Sequence, residues 1–427
     1  VFHRNHSRQV HSTTSRNIMS KEYDILLVGV TGFTGKLAVE YLLQKEYSDI
    51  RWAVCARNEN KAKEVLYACL SATAKTVMPT IEVADLVCST PEQTECLRAV
   101  VRKTQVVITT AGPFEKYGTT LVKLCAEEGV HYADITGETD FFRSMIAEYD
   151  QVCKRTGAKI CMHCGHDCIP WDCTVLEMHK LAQQQNAELV EISTYTELPP
   201  GTAMSGGTLA TAVHQLSKKR KGGKPSFDPL LQASDGTKSL YATKITSPKK
   251  SIYVKAFKRY GGPWIMGPVM ANCVRRSNAL LQYSEALRFS DCLLRSGGSY
   301  QYVKDTAYAA LVAAAIYLPF FRRFLPSPGQ GPTSEDMAKG FLNLHAMGVA
   351  VQKDTGERIK MKSTFKFFED VTYLSTAKLL VESGRVLLAA TDKMPGVSTP
   401  ATLLGNEIIK LARAEIGASF EISLVTE

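Results

Sequence analysis

The stretch YDILLVGVTGFTG, residues 23–35, constrains the fold more than any other part of the chain. YDILLVG is a near-continuous apolar run, as expected of a strand buried on both faces of a parallel sheet, and FTGKLAVEYLLQKEY behind it has a helical pattern. Between them, Gly29, Gly32 and Gly35 let the chain turn tightly and let backbone N–H groups reach a phosphate at the helix N-terminus. Thr31, Phe33 and Thr34 complete the loop, with Thr31 in the second glycine position of the GxGxxG pattern. A GxxxxGK[ST] loop ending at Lys36 is excluded, because Val30 and Leu37 stand where it requires glycine and a hydroxyl.

The alternation continues along the first half. Strands are predicted at 51–56, 80–85, 105–110, in HYADI (131–135) and at 158–163, each separated from the next by a helical stretch. Such βαβ units make the expected fold class α/β, with an N-terminal Rossmann doubly wound parallel sheet. Ligands of open α/β sheets bind beyond the strand carboxyl ends. After the second strand, a carboxylate would bind the ribose of NAD, but the chain has Ala56-Arg57-Asn58. Arg57 suits a 2′-phosphate, which favours NADP(H) over NAD(H). Asp85 ends the third strand and could hold the adenine amine. The turn TTAGPFEKYG carries Ala111, Gly112, Pro113 and Phe114 beside the expected ribose and nicotinamide, and Asp134, Thr136, Gly137 and Glu138 follow strand five. Helix capping and turn hydrogen bonds are the competing roles for Asp85 and Asp134. Tyr117, Glu138, His166 and Asp167 are the weak candidates for a catalytic proton donor.

At 427 residues, 45% hydrophobic and 22% charged, the composition suits one or two ordinary cores. Twelve cysteines are too sparse for a disulfide scaffold, so reduced thiols and an intracellular setting are expected. CMHCGHDCIPWDC (161–173) has ligand types for zinc, but its neighbouring ligands alternate across a predicted strand, which argues against a metal. The net charge of +9 owes much to SKKRKGGK (217–224), a basic run without the aromatic interleaving or module of a nucleic-acid binder. A solvated loop is the first reading of that run, an anionic membrane surface the second. AYAALVAAAIYLPFF (307–321) is too short to span a bilayer and reads equally as a core helix or an interfacial one, with Tyr308, Tyr317, Phe320, Phe321, Arg322 and Arg323 suited to a headgroup boundary. Residues 1–21 are basic and rich in Ser and Thr, like a mitochondrial transit segment, although Met19 stands just before the first strand. The expected locations are therefore the cytoplasm, with a membrane or lipid-droplet surface, or the mitochondrion.

VGVTGFTG, AVCARN, TTAGPFEKYG and HYADITGE, in that order, resemble the saccharopine-dehydrogenase-like oxidoreductases, with trans-acting enoyl reductases as a distant branch. GHDCIPWD (165–172), MSGGT (204–208), GQGPT (329–333) and MPGVSTPATLL (394–404) carry the resemblance to nearly the whole chain from Tyr23. It implies a leader (1–21), a nucleotide-binding domain (22–165), a second α/β (α+β) domain with a mixed sheet (166–395), and a C-terminal helix and strand (396–427), the helix packing back on the first domain. It also implies a nicotinamide cofactor, without naming a substrate. MSGGT fails the GxSxG elbow because Ala203 stands where glycine is required, so Ser205 and Thr208 read as a turn or cap. The expected activity is hydride transfer between NADP(H) and a lipid, acyl or other small organic substrate. A catalytically silent nucleotide-binding scaffold at a membrane surface is the alternative. True saccharopine processing is less favoured, since beyond Arg275 and Arg276 no arginine cluster is evident for carboxylates. A homodimer is compatible with the sequence, which does not fix the oligomeric state.

Overall fold

Strands β1 (Tyr23–Val28), β2 (Trp52–Ala56), β3 (Thr80–Val83), β4 (Thr104–Thr109), β5 (His131–Asp134) and β6 (Lys159–Cys161) pair in parallel in the order β6-β5-β4-β1-β2-β3. Helices α1 (Phe33–Lys45), α2 (Glu59–Thr73), α3 (Pro91–Arg102), α4 (Phe114–Tyr117), α5 (Thr119–Glu128) and α6 (Thr139–Thr156) fill the crossovers. The apolar run of β1 explains its place at the centre. Ile25 and Leu27 pack into the core shared with α1 and α2, while Leu26 and Val28 face the core of α3, α5 and α6. All four are at most 2% exposed, so both faces of the strand are covered. This computed structural model describes residues 21–45, 47, 49–199, 205–217, 227–295, 303, 304, 307, 314, 327 and 329–425. The leader before Lys21, the basic run beyond Ser217 and nearly all of the apolar stretch 307–321 lie outside the described residues.

The second half builds a mixed sheet of eight strands: β7 (Ala187–Glu197), β8 (Ala242–Ile245), β9 (Ile252–Val254), β10 (Arg259–Gly262), β11 (Ala286–Leu294), β12 (Leu342–Gln352), β13 (Arg358–Phe367) and, at the far edge, β15 (Ser419–Leu424). β11 pairs in parallel with β7 and β8, whereas β7, β12, β13 and β15 run antiparallel in turn. Burial alternates along β7 and β12, as a sheet packed on one face requires. That face is covered by α7 (Ile169–Gln184) and α9 (Gly267–Leu281), whereas α8 (Gly206–Ser217) lies toward the first domain. Two short helices follow, α10 (Ser334–Ala338) and α12 (Pro400–Leu403).

Two C-terminal elements return to the first domain. Helix α11 (Thr376–Ala389) lies on α1, β4 and β5, and β14 (Gly396–Ser398) extends the parallel sheet beside β6 as a seventh strand. Thus a helix ahead of the expected boundary at 395 also returns to the first domain. Helix α13 (Gly405–Glu415) packs on α7 and α11, and Glu415 reaches Lys45 of α1 at 2.5 Å. β6 is also shorter than the sequence suggests. It ends at Cys161 because His163 adopts φ +65°, so the alternation of Cys161 and His163 across one strand does not exist.

Candidate functional site

The loop after β1 has the geometry of a phosphate cradle. Gly29 sits at φ +94°, and a Cβ there would meet Thr110 Oγ1 at 2.8 Å and the Ala111 amide nitrogen at 2.9 Å. A Cβ on Gly35 would fall 2.2 Å from the Gly29 carbonyl oxygen, so only glycine lets α1 start this close to β1. The Gly32 amide donates to Gly29 O at 3.0 Å and closes the turn. Phe33, Thr34 and Gly35 form the first turn of α1, whose N–H groups have no intrahelical acceptor, and no acidic residue stands among them to compete with an anion.

Arg57 is exposed just after β2, and the next acid along the chain, Glu59, is paired with Lys63 at 2.7 Å. Asp85 Oδ1 accepts from the Val87 amide at 3.0 Å and closes its own turn. At the end of β4, Ala111, Gly112, Pro113 and Phe114 line the next loop, and Gly112 and Pro113 are joined by a cis peptide bond. Thr110 Oγ1 donates to Gly29 O at 3.2 Å and ties this loop to the first.

Three segments distant in sequence converge on Phe33. Tyr373 stacks edge-on against it with centroids 5.3 Å apart, and a Cβ on Gly331 would lie 2.7 Å from its ring. The Tyr373 hydroxyl accepts from the Ser205 amide at 2.6 Å and lies 3.1 Å from Thr208 Oγ1, while Gly206 N donates to Gln330 O at 3.0 Å. Residues 205–208 and the GQGPT motif are therefore parts of one wall above the loop after β1. Tyr373 was not legible in sequence, because a single tyrosine in an ordinary polar stretch has no spacing signature.

The proton-donor candidates are dispersed. Glu138, 2% exposed, accepts from the Phe114 amide at 2.6 Å, the Glu115 amide at 3.1 Å and Gln215 Nε2 at 3.0 Å, which makes it the anchor of α4. Glu115, Glu138 and His214 are the group of potential metal ligands that converges among the described residues. The cysteine cluster does not: Cys164 Sγ donates to Cys161 O at 3.3 Å, and His163 Nδ1 lies 2.6 Å from Thr136 O. Asp134 is a buried tie, accepting from the Thr136 and His163 amides and the Tyr132 hydroxyl, and burial pushes its carboxyl up to about 7. Tyr117 is half-buried beside Lys116, whose ammonium lies 5.0 Å from the ring centroid.

His166 and Asp167 form a buried charge pair, Nε2 to Oδ1 2.9 Å, at an angle outside that of a hydrogen bond, so Asp167 acts chiefly through its charge. Burial alone would lower the His166 pKa, but the charges of Asp167 and Asp370 outweigh it and raise it. Thr376 Oγ1 donates to Val371 O at 2.8 Å and accepts from the His166 amide at 3.0 Å, so at 3.2 Å from His166 Nδ1 the hydrogen belongs to the imidazole. His166 therefore carries a proton on Nδ1 and, when charged, one on Nε2 toward Asp167. A raised folded-state pKa adds stability that is fully present below the unfolded value and is lost as pH rises through the folded value. Asp167→Asn is expected to destabilise the protein more at pH 6 than at pH 9; equal shifts in denaturation midpoint at both pH values would refute the charge pairing.

The arginine pair forms no carboxylate clamp. Arg276 is fully buried, bonded to Asp150, Gln232 O and Val397 O, and Arg275 Nη1 donates to Asn272 Oδ1 at 3.0 Å.

Comparison with known proteins agrees with this geometry. The saccharopine dehydrogenase NADP binding domain matches residues 25–161, from β1 to β6. A Mycobacterium tuberculosis protein assigned by name to the trans-acting enoyl reductases is 31% identical over 423 residues, covering 91% of this chain and 95% of that one. A trans-acting enoyl reductase of Mycobacterium bovis is 29% identical over 412 residues with the same coverage. The apo saccharopine dehydrogenase (L-Glu forming) of Saccharomyces cerevisiae superposes with a TM-score of 0.56 at 13% identity, over 95% of this chain and 100% of that one, which establishes a shared fold. Among the described residues, no helix is long and apolar enough to cross a membrane. With residues 25–161 matched by the saccharopine dehydrogenase NADP binding domain and a relative at 31% identity covering 91% of it, the chain belongs to the saccharopine-dehydrogenase-like oxidoreductases.

Proposed function

We propose that this chain is an NADP(H)-dependent reductase that delivers hydride to an organic substrate held between the Ala111–Phe114 turn and the second domain. The observation that carries the reading is the cradle, a first turn of α1 with unspent amides and no acid, together with an exposed arginine after β2 where a ribose-binding carboxylate would otherwise stand. Gly29, Gly32, Gly35 and the amides of Phe33 and Thr34 would hold the pyrophosphate, Arg57 the 2′-phosphate, and Ala111 to Phe114 the ribose and nicotinamide. The cofactor supplies the hydride. Hydride addition to a carbonyl, imine or conjugated alkene leaves negative charge on the substrate, and His166, whose pKa the charges of Asp167 and Asp370 raise, is the proton donor proposed to quench it. The enoyl reductase names of the relatives support a conjugated acyl or lipid acceptor.

Arg57→Ala tests the cofactor choice. Losing charge-assisted bonds to a phosphate should weaken NADPH binding roughly tenfold or more, with NADH affinity unchanged, read by the fluorescence of the bound dinucleotide. Equal affinities of the parent protein for the two, or no change on substitution, would reject the role of Arg57.

A further inference from the structure

Beside the Ala111–Phe114 turn, three side chains from separate parts of the chain converge. Glu115 belongs to α4, Glu138 to the loop between β5 and α6, and His214 to α8, and one ligand atom of each lies within 4.8 Å of the others. His214 Nε2 and Glu115 Oε2 are 3.2 Å apart. Two donors bound to one ion at about 2.0–2.2 Å stand roughly 3–3.5 Å from each other, so this pair already has the spacing of ligands.

Glu138 is the fixed member. It is 2% exposed, and its Oε1 accepts from the Phe114 amide at 2.6 Å while Oε2 accepts from the Glu115 amide at 3.1 Å and from Gln215 Nε2 at 3.0 Å. N–H donors on both oxygens are the pattern of an ionised carboxylate, and they fill three of its roughly four acceptor positions, leaving one on Oε1. All three donors are neutral, so they bring no counter-charge to this buried group, and the second carboxylate stands beside it. The same bonds hold the carboxylate still, as hydrogen bonds behind a metal ligand do. Glu115 and His214, by contrast, keep 36% and 32% of their side chains exposed, so the cluster is open on their side and an ion can enter. An imidazole nitrogen with two carboxylate oxygens selects a transition-metal ion such as zinc over magnesium or calcium, which favour oxygen alone. Thr211, one turn before His214, carries α8 onto the neighbouring turn, its Oγ1 3.6 Å from where a Cβ on Gly112 would stand.

We infer that Glu115, Glu138 and His214 bind one divalent ion of the zinc type, which takes the place of the hydrogen between His214 and Glu115 and fastens α8 to the Ala111–Phe114 turn. The site stands on its own geometry, whatever the chain reduces. The test titrates the full chain, freed of metal with EDTA and dialysed with a phosphine reductant, with ZnCl2 and with MgCl2 in a calorimeter. One zinc per chain is expected, with magnesium bound far more weakly. Zinc affinity should fall roughly tenfold or more in His214→Ala and in Glu115→Gln, two part-exposed positions whose replacement leaves the bonds of Glu138 in place. The twelve thiols are rival ligands, and CoCl2 distinguishes them. Visible cobalt absorption that disappears in His214→Ala, without a sulfur-to-cobalt band in the near ultraviolet, is the expected spectrum. No stoichiometric zinc uptake, magnesium bound as tightly as zinc, unchanged zinc affinity in His214→Ala, or a sulfur-to-cobalt band would overturn the inference.

Discussion

Gly35→Ala is expected to abolish useful dinucleotide binding. The added Cβ would sit 2.2 Å from Gly29 O, 2.8 Å from Gly29 C and 2.9 Å from Thr110 Oγ1, and two of these three are backbone atoms that no rotamer change can move. The first turn of α1 must therefore lift away from β1, which displaces the amides of Phe33 and Thr34 together. Each charge-assisted bond lost is worth about 1.5–3 kcal/mol, so NADPH affinity should fall roughly 30-fold or more. Overpacking of this kind also costs about 1–3 kcal/mol of stability, visible as a lower denaturation midpoint. Gly32→Ala is the internal control. Its Cβ would approach only Gly29 O, at 3.3 Å, a contact that a few tenths of an ångström relieve. Near-parental NADPH binding by Gly35→Ala would mean that the loop does not cradle the phosphates.

That contrast shows what the sequence could carry. The apolar β1 and the three glycines behind it are local features whose physics is complete within a dozen residues, and the structure shows the strand covered on both faces and the tight approach of α1 to β1 at Gly29 and Gly35. Asp85 was legible only as a choice between two roles, of which its bond to the Val87 amide shows the turn. The wall over Phe33 was not legible, because it forms only when residues 205, 331 and 373 are brought together by the second sheet and by the return of α11. The same return hid the seventh strand. Gly396–Ser398 is three residues long, shorter than any periodicity can register, and its pairing with β6 is set by side chains far away.

Foremost among those side chains is Arg276. Substituting Arg276→Leu is expected to cost about 3–5 kcal/mol of stability, because it removes one of the two cations that hold the buried Asp150 and strands the carbonyls of Gln232 and Val397. Arg276 is 0% and Asp150 1% exposed, and burial lowers the arginine pKa to about 10 despite the charge of Asp150. The pair joins three separate parts of the chain. Asp150 belongs to α6 of the first domain and Arg276 to α9 of the second, their Oδ1 and Nη2 atoms 3.4 Å apart, while β14 enters through Val397, whose amide donates to Asp150 Oδ1 at 3.0 Å and whose carbonyl accepts from Arg276 Nη2 at 3.1 Å. Asp150 also holds Lys154, and Arg276 the Gln232 carbonyl. Asp150→Asn keeps the shape and the Val397 contact but leaves the guanidinium without its counter-charge, so it should cost less than Arg276→Leu yet remain clearly destabilising. Replacing both, as Asp150→Leu with Arg276→Met, removes the uncompensated charge but strands the carbonyls of Gln232 and Val397 and the Val397 amide. The double variant should therefore recover only part of the loss, a non-additivity that denaturant midpoints of the four proteins would reveal. Full recovery would show that charge alone fastens the seventh strand, and strictly additive losses would show that the two residues act independently.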